Sequence, residues 1–406
     1  MTIYLDYQAT TPMAPEALAA MRPWLEEKFA NPHSPHKLGR EAAAAVEVAR
    51  EQVVEALTNP SVRVERSRDT HSSEAEKQSL GSARRGPSTE FTQSDAAGGV
   101  EGLGTNGSLH FTSGATEAAN WALKSSGAKR IVTLATEHAC VLDSAEWLAG
   151  QGIEIEILPV GRDGLVDLNL VEERITPGTG LVAAMLVNNE IGVIQPVAEI
   201  ARIAHSAGAL FFCDAVQGFG RVPLPIEACD MVALSSHKIH GPKGIGALWV
   251  GDGVALEPFM HGGGQEGGVR SGTLSPALCA GFGAAAALLG EDDVQLLWTI
   301  AREMLSDWTL NGSETRRYHG NLNLRRDGID AARLISEVRG VAFSAGSACA
   351  SGSGRPSQVL AALGLTEREA RSSIRLGFGR YTSEEELRSA LALINEAADR
   401  QPGFAA

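Results

Sequence analysis

The chain is short of cysteine and without any excess of basic charge, and each shortage narrows the function. Its five cysteines (Cys140, Cys213, Cys229, Cys279 and Cys349) are odd in number, scattered, and include no C-x-x-C pair. That argues against a disulfide framework or a zinc site and fits free thiols in a reducing cytoplasm. Lysine and arginine number 35 against 49 aspartates and glutamates, a formal net charge of −14. A nucleic-acid binder normally carries a basic face, so no direct nucleic-acid partner is expected. No apolar run approaches the roughly 18 residues a membrane span requires. Residues 1–6 show neither the basic nor the apolar part of a signal peptide, so no membrane association is expected. Several catalytic signatures are missing too. There is no G-x-x-x-x-G-K-[ST], no G-x-G-x-x-G between a strand and a helix, no G-x-S-x-G and no H-E-x-x-H.

What is present describes a globular α/β protein. Hydrophobic residues make up 44% of 406 positions, more chain than one core usually takes. Two domains are expected: a large one over 14–258, and a smaller α+β unit made of 1–13 and 259–406. Residues 60–107 mix charge with serine and glycine, almost lack large apolar side chains, and read as a solvated, disordered insertion. Apolar runs predict strands at 3–5, 109–111, 131–134, 153–158, 181–186, 210–213, 231–234 and 246–250. Helical periodicity predicts helices at 15–29, 38–57, 141–149, 168–174 and 197–207. This alternation signals a mostly parallel sheet with helices on both faces. After Pro258 the rhythm changes to a glycine-rich loop at 261–264, long helices at 276–289 and 293–310, and a mixed segment to the end. The first strand is expected to join this second unit.

Ligands in open α/β sheets bind outside the carboxyl ends of the strands, and five predicted strand ends carry polar groups. Thr112, Ser113, Gly114, Ala115 and Thr116 open a helix after a strand, which suits a phosphate, although taken alone a simple helix cap is the better explanation. Thr136, Glu137 and His138 follow the next strand, then Asn188 and Asn189, then Asp214 and Gln217, and finally Ser235, Ser236, His237 and Lys238. Any one of these has a plainer reading, as a structural His or Asp or as a solvated surface lysine. Together they fit pyridoxal phosphate. A lysine condenses with its aldehyde, an aspartate partners the ring nitrogen, a histidine plates the ring, and helix-start groups take the phosphate. Two further features stand apart. Cys349 lies in the small-residue run 344–354, which suits a thiol exposed on a loop. Arg375 lies on a predicted strand, where its charge requires a carboxylate from the protein or from a substrate.

With these residues assembled, the chain closely resembles the cysteine desulfurases of the NifS/IscS type, in the fold-type I, class V aminotransferase family. The resemblance runs nearly end to end apart from 60–107. It rests on Tyr4 to Pro12, Thr112 to Glu117, Thr136-Glu137-His138, Asn188 to Gly192, Ser236 to Gly244, Arg270-Ser271-Gly272-Thr273, Ser347-Ala348-Cys349 and the stretch from Arg375. It implies the pyridoxal-phosphate-dependent transferase fold, with a mostly parallel seven-stranded sheet sandwiched by helices. It implies that Lys238 holds the cofactor, that Asp214 pairs with the ring nitrogen and Gln217 with the ring hydroxyl, and that His138 stacks on the ring and assists proton transfer. Thr116, the Ala115 backbone, Ser235 and His237 would hold the phosphate, and Thr273 would reach the phosphate of a neighbouring subunit in a homodimer. Asn189 and Arg375 would fix the carboxylate of L-cysteine. Cys349 would take the sulfur as a persulfide, leaving alanine, and pass it to an acceptor protein for iron–sulfur clusters or tRNA thiolation. Selenocysteine lysis, another class V reaction, or a silent assembly scaffold are the alternatives. The chain departs from the family's pattern at the insertion, at Ser236 in place of glycine, at Gln265 to Gly268 in place of a more basic loop, and in lacking a longer C-terminal tail. These departures leave the chemistry intact and bear on the choice of partner.

Overall fold

A computed structural model describes residues 2–58, 106–290, 293–346 and 357–401. The expected insertion at 60–107 lies outside the described residues, save for its last two. In chain order the strands are β1 (Ile3–Tyr4), β2 (Gly107–Thr112), β3 (Arg130–Leu134), β4 (Glu154–Leu158), β5 (Leu181–Met185), β6 (Leu210–Asp214), β7 (Met231–Ser235), β8 (Gly246–Gly251), β9 (Thr309–Leu310), β10 (Asn321–Arg325), β11 (Val341–Ala342), β12 (Ser344–Ala345) and β13 (Ser373–Gly377).

Seven strands form one sheet in the order β2-β8-β7-β6-β5-β3-β4. Every pairing from β7 to β4 is parallel, and β8 runs antiparallel to both its neighbours. The other six strands therefore share one carboxyl edge. The chain moves outward from β3 to β4 and returns to β5 on the opposite side of β3, so the strand order reverses there and opens a crevice.

Central strands of such a sheet are apolar throughout because helices cover both faces. Accordingly β5 and β7 are buried at every residue. Alternation still sorts their neighbours. Phe212, Met231 and Ala233 enter the core beneath helices Ala115–Ser125 and Ala139–Ala149. Phe211, Cys213, Val232 and Leu234 enter the opposite core with helices Lys37–Thr58, Val197–Ser206 and Pro276–Ala286. Short polar residues start several helices. Asp167 accepts from Asn169 N–H, Ser275 from Leu278 N–H ahead of Pro276, and Ser383 and Glu386 cap each other's backbone. Helix Ala115–Ser125 differs, since Gly114 caps it with no side chain.

The second sheet is antiparallel in the order β12-β13-β10-β9, and β1 pairs in parallel with β11. A bridge between Asp6 and Gly377 lays the N-terminal stretch along β13. Two expected boundaries move. The helix expected over 293–310 ends at Met304, and Thr309–Leu310 instead pairs with β10. Polar Ser306 and Asp307 interrupt the apolar stripe there, and Trp308 is buried with its indole N–H on Asn395 Oδ1 (2.8 Å). The helix expected to reach residue 29 ends at Glu26. Among the described residues no helix is long and apolar enough to cross a membrane.

Gly246 shows how closely β8 passes the loop after β2. A Cβ there would stand 2.5 Å from Leu234 O and 2.8 Å from the Gly114 backbone. Gly246→Ala should therefore reduce stability by about 1–3 kcal/mol through overpacking, read as a lower melting temperature. An unchanged midpoint would show that Gly114 yields without loss.

Candidate active site

The carboxyl edge of the large sheet and the N-terminal stretch enclose one cavity of about 470 Å3. Ten of the residues picked out by sequence line it: Ala115 and Thr116 after β2, His138 after β3, Asn189 after β5, Asp214 and Gln217 after β6, Ser235, His237 and Lys238 after β7, and Arg375 on β13. Thr273 does not line it and is exposed. Cys349, with the loop run around it, lies outside the described residues.

Lys238 ends a single turn of 3-10 helix, Ser236–Lys238, that follows β7 directly. Its Nζ enters the cavity and donates to Gln8 O (2.6 Å) and Ala9 O (2.8 Å). The turn is pinned from the N-terminal stretch, with Thr11 donating to His237 O through N–H and Oγ1 (both 3.0 Å). His240 then takes a left-handed φ of 68° and donates its N–H to Thr11 Oγ1 (2.7 Å). Ser236 is fully buried, and Gly241 makes room for it, since a Cβ there would stand 2.0 Å from Ser236 Oγ. Burial, with Lys238, Lys243 and Arg221 nearby, pushes His237 down to about 4, so its ring is neutral at physiological pH.

His138 is the N-cap of helix Ala139–Ala149, and its Nδ1 accepts from Cys140 N–H (3.1 Å). The proton of the neutral ring therefore sits on Nε2. Burial lowers the pKa of this ring, with Lys238 adding and Asp214 opposing. Asp214 is buried at the end of β6 and its Oδ1 accepts from Val216 N–H (3.0 Å). Burial raises the Asp214 pKa against the Val216 bond and the charges of His138 and Lys238. Gln217 donates through Nε2 to Gln8 O (2.9 Å) and accepts at Oε1 from Arg221 Nη1 (2.6 Å). Arg375 is 1% exposed; it donates to Asp6 Oδ1 (2.7 Å) and to Asn189 O (3.0 Å), while its Nε has no partner among the described residues. The carboxylate it required is thus Asp6, and N–H groups remain for a further acceptor, the one on Nε among them.

These groups suit pyridoxal phosphate on structural grounds. The helix starting at Ala115 lacks a side-chain cap, which leaves the Ala115 and Thr116 N–H groups to an anion, while that of Glu117 bonds Gly114 O. A buried aspartate and an amine line the same cavity, and its volume falls in the usual cofactor range.

Four contributors carried no role in the sequence reading. Gln8 acts through its backbone carbonyl, which no side-chain pattern announces. Arg221 sits four residues beyond Gln217, outside any motif. Glu137 is buried behind Asp214; its Oε1 accepts from Met185 N–H (2.8 Å) and its Oε2 has no partner among the described residues. Burial pushes its carboxyl well above the usual range against the Met185 bond, and the nearby Asp214 adds to the rise. Glu190 is buried, and its Oε2 accepts from Ser357 Oγ (2.6 Å), at the first residue described beyond the Cys349 run.

Burial pushes Glu190 up to about 7, against the Ser357 bond and the charge of Arg375. The folded chain then binds a proton that the unfolded chain loses near 4.5, so stability falls as pH rises from about 4.5 to about 7. The loss over this window is about 3 kcal/mol. Glu190→Gln keeps an acceptor for Ser357 and should flatten that part of the denaturation-midpoint profile. Equal slopes in the two proteins would place the proton elsewhere.

Comparison with known proteins agrees with this geometry. Residues 3–64 and 103–389 match the family described as aminotransferase class-V. The chain is 38% identical to the cysteine desulfurase IscS of Rickettsia rickettsii (strain Iowa), over 98% of this chain and 92% of that one. It is equally 38% identical to the Rickettsia bellii enzyme of the same name, over 99% and 93%. Among solved structures, a NifS-like protein superposes with a TM-score of 0.79 at 29% identity, covering 98% of this chain and 99% of its own. The SspA structure in complex with cysteine superposes with 0.75 at 30% identity, covering 94% and 100%. The chain therefore belongs to the class V aminotransferase family and, within it, to the pyridoxal-phosphate-dependent cysteine desulfurases.

Proposed function

We propose that this desulfurase converts L-cysteine to L-alanine with Cys349 as the sulfur acceptor, using the cavity residues in the roles set out here. The observation that carries the reading is the convergence of Lys238, Asp214, His138 and the partly unsatisfied Arg375 on one cavity. Lys238 Nζ would bond to the cofactor aldehyde, leaving the carbonyls of Gln8 and Ala9. The N–H groups at Ala115 and Thr116, with Ser235 and His237, would hold its phosphate, and Asp214 would hold a proton against the ring nitrogen. When bound, pyridoxal phosphate supplies an electron sink for charge developing on the substrate carbon. Arg375 and Asn189 would seat the substrate carboxylate, the arginine through N–H groups that Asp6 and Asn189 O leave unused. His138 would pass its Nε2 proton at the ring face, where a neutral buried imidazole serves as acid or base. The Cys349 thiol and the substrate thiol together yield a Cys349 persulfide and a methyl group, so L-alanine leaves.

Persulfide passes to an acceptor protein, and the IscS name of the relatives suggests iron–sulfur cluster assembly as its use. We propose a cytoplasmic homodimer. Thr273 supports this: it is exposed and outside its own chain's cavity, so its hydroxyl is available to a neighbour's. The pairing of β1 with β11, and of Asp6 with β13, supports grouping 1–13 with 259–406 as the smaller domain beside 14–258.

Purified protein should be yellow, and L-cysteine with an added dithiol reductant, which reduces the persulfide, should yield alanine and sulfide in equal amounts. Lys238→Ala should lose the absorbance band and at least about 1,000-fold in rate. Cys349→Ser should keep the band and lose persulfide formation. Sulfide release at the wild-type rate from either variant would overturn the corresponding role. Arg375→Lys should raise KM for L-cysteine by about tenfold or more, because a point charge replaces a planar donor fork. An unchanged KM would place the carboxylate elsewhere.

A further inference from the structure

Gln217 is held at both ends of its amide. Arg221, which can only donate, is 2.6 Å from Oε1, and the carbonyl of Gln8, which can only accept, is 2.9 Å from Nε2. The amide therefore has a single orientation, with its NH2 group toward Gln8, which lines the cavity as Arg221 does not. The second arm of Arg221 donates to Lys238 O (2.5 Å), and Lys238 Nζ donates to the same Gln8 carbonyl (2.6 Å). Arg221, Gln217, Gln8 and Lys238 thus close a ring of hydrogen bonds. The guanidinium lies over the Tyr318 ring, 5.5 Å from its centroid, which fixes its plane. Its hydrogen bonds all end on neutral oxygens, so its charge stays directed at this corner of the cavity.

We infer that Arg221 is a positioning residue that sets the ionisation of the bound cofactor by forcing Gln217 to act as a donor. An N–H presented to the ring hydroxyl favours that oxygen in its deprotonated, accepting form. With Arg221 removed, the amide keeps only its bond to the Gln8 carbonyl, and an Oε1 left without a donor can turn toward the ring hydroxyl, which favours the protonated form. Loss of the guanidinium charge acts in the same direction. The inference rests on the proposed contacts of Lys238 and Gln217 with the cofactor.

The test is a spectrophotometric pH titration of the cofactor-loaded protein, without substrate, for wild type, Arg221→Met, Arg221→Lys, Gln217→Leu and the Arg221→Met/Gln217→Leu double variant. The titration midpoint should move to higher pH by about one pH unit in Arg221→Met, the size expected of one hydrogen bond. Gln217→Leu should move it comparably, and the double variant by clearly less than the sum of the two single changes, because Arg221 acts mainly through Gln217. Arg221→Lys should recover part of the shift, and it supplies the same comparison if Arg221→Met does not fold. A wild-type midpoint in Arg221→Met and Arg221→Lys beside a shifted Gln217→Leu would overturn the inference while leaving the site reading intact. Additive shifts in the double variant would also overturn it, by separating Arg221 from Gln217. A cofactor band that survives unchanged in Lys238→Ala would instead remove the site reading beneath it.

Discussion

A guanidinium at 1% exposure is tolerable only if opposite charge and hydrogen bonds replace water, and the pair between Arg375 and Asp6 is where this fold meets that demand. The two residues are far apart in sequence and come together because the N-terminal stretch lies along β13. The same stretch then does the rest of its work. Gln8 donates to Gly320 O (2.8 Å) and offers its carbonyl to Lys238 and Gln217, while Thr11 pins the turn that carries the lysine. Gly377 on β13 must be glycine for this contact, since a Cβ would stand 1.7 Å from Gln8 Oε1. One buried ion pair thus fixes the wall of the cavity and, through Gln8, the corner where the amine sits.

Charge in the cavity is arranged by burial as much as by partners. Asp214 and Glu137 are both buried and close enough to feel each other, so the site does not readily hold two negative charges. The proton belongs on Glu137, which is sealed from the cavity and has no cation to offset its charge. Asp214 faces the cavity, where the charges of His138 and Lys238 favour its ionised form against burial. The neutral carboxyl behind it keeps the local negative charge at one. His138 and His237 are held neutral by the same burial, which leaves the helix start and the lysine as the positive features toward a phosphate.

Much of this was legible in the sequence, and the reasons are physical. Runs such as Leu181–Met185 and Met231–Ser235 are apolar at nearly every position because both sheet faces are covered, so they mark buried strands without further help. A polar group directly after such a run must lie at the sheet edge, which places His138, Asp214 and Lys238 together once the strands are parallel. The cavity's other half was not legible. Asp6 and Arg375 are partners across nearly the whole chain, and no local pattern links them. Gln8 contributes a main-chain oxygen, which every residue but its geometry could supply. Arg221 reads from sequence as an ordinary exposed arginine. The helix expected to reach residue 310 stops early because a buried Trp308 and a strand partner for Leu310 outweigh local helical pattern.

The loop before Thr273 shows how the fold holds an exposed residue in place. Glu266 takes an unusual φ of 50°, and its buried carboxylate accepts from Phe111 N–H (3.0 Å) and both arms of Arg50 (2.9 Å each). Against burial, hydrogen bonds from His110 and Arg50 pull it down to about 2, so the clip stays charged at any physiological pH. Arg270 forms a second clip, donating to both oxygens of Glu117 (2.6 and 3.0 Å) in the first turn of the helix that begins at Ala115. Thr273 is therefore exposed on a loop tied at two points to the large sheet and to the helix that begins at Ala115. An exposed residue on a tied loop loses little entropy on meeting a partner, so the strain at Glu266 and the two ion pairs favour a preformed contact over one ordered on binding.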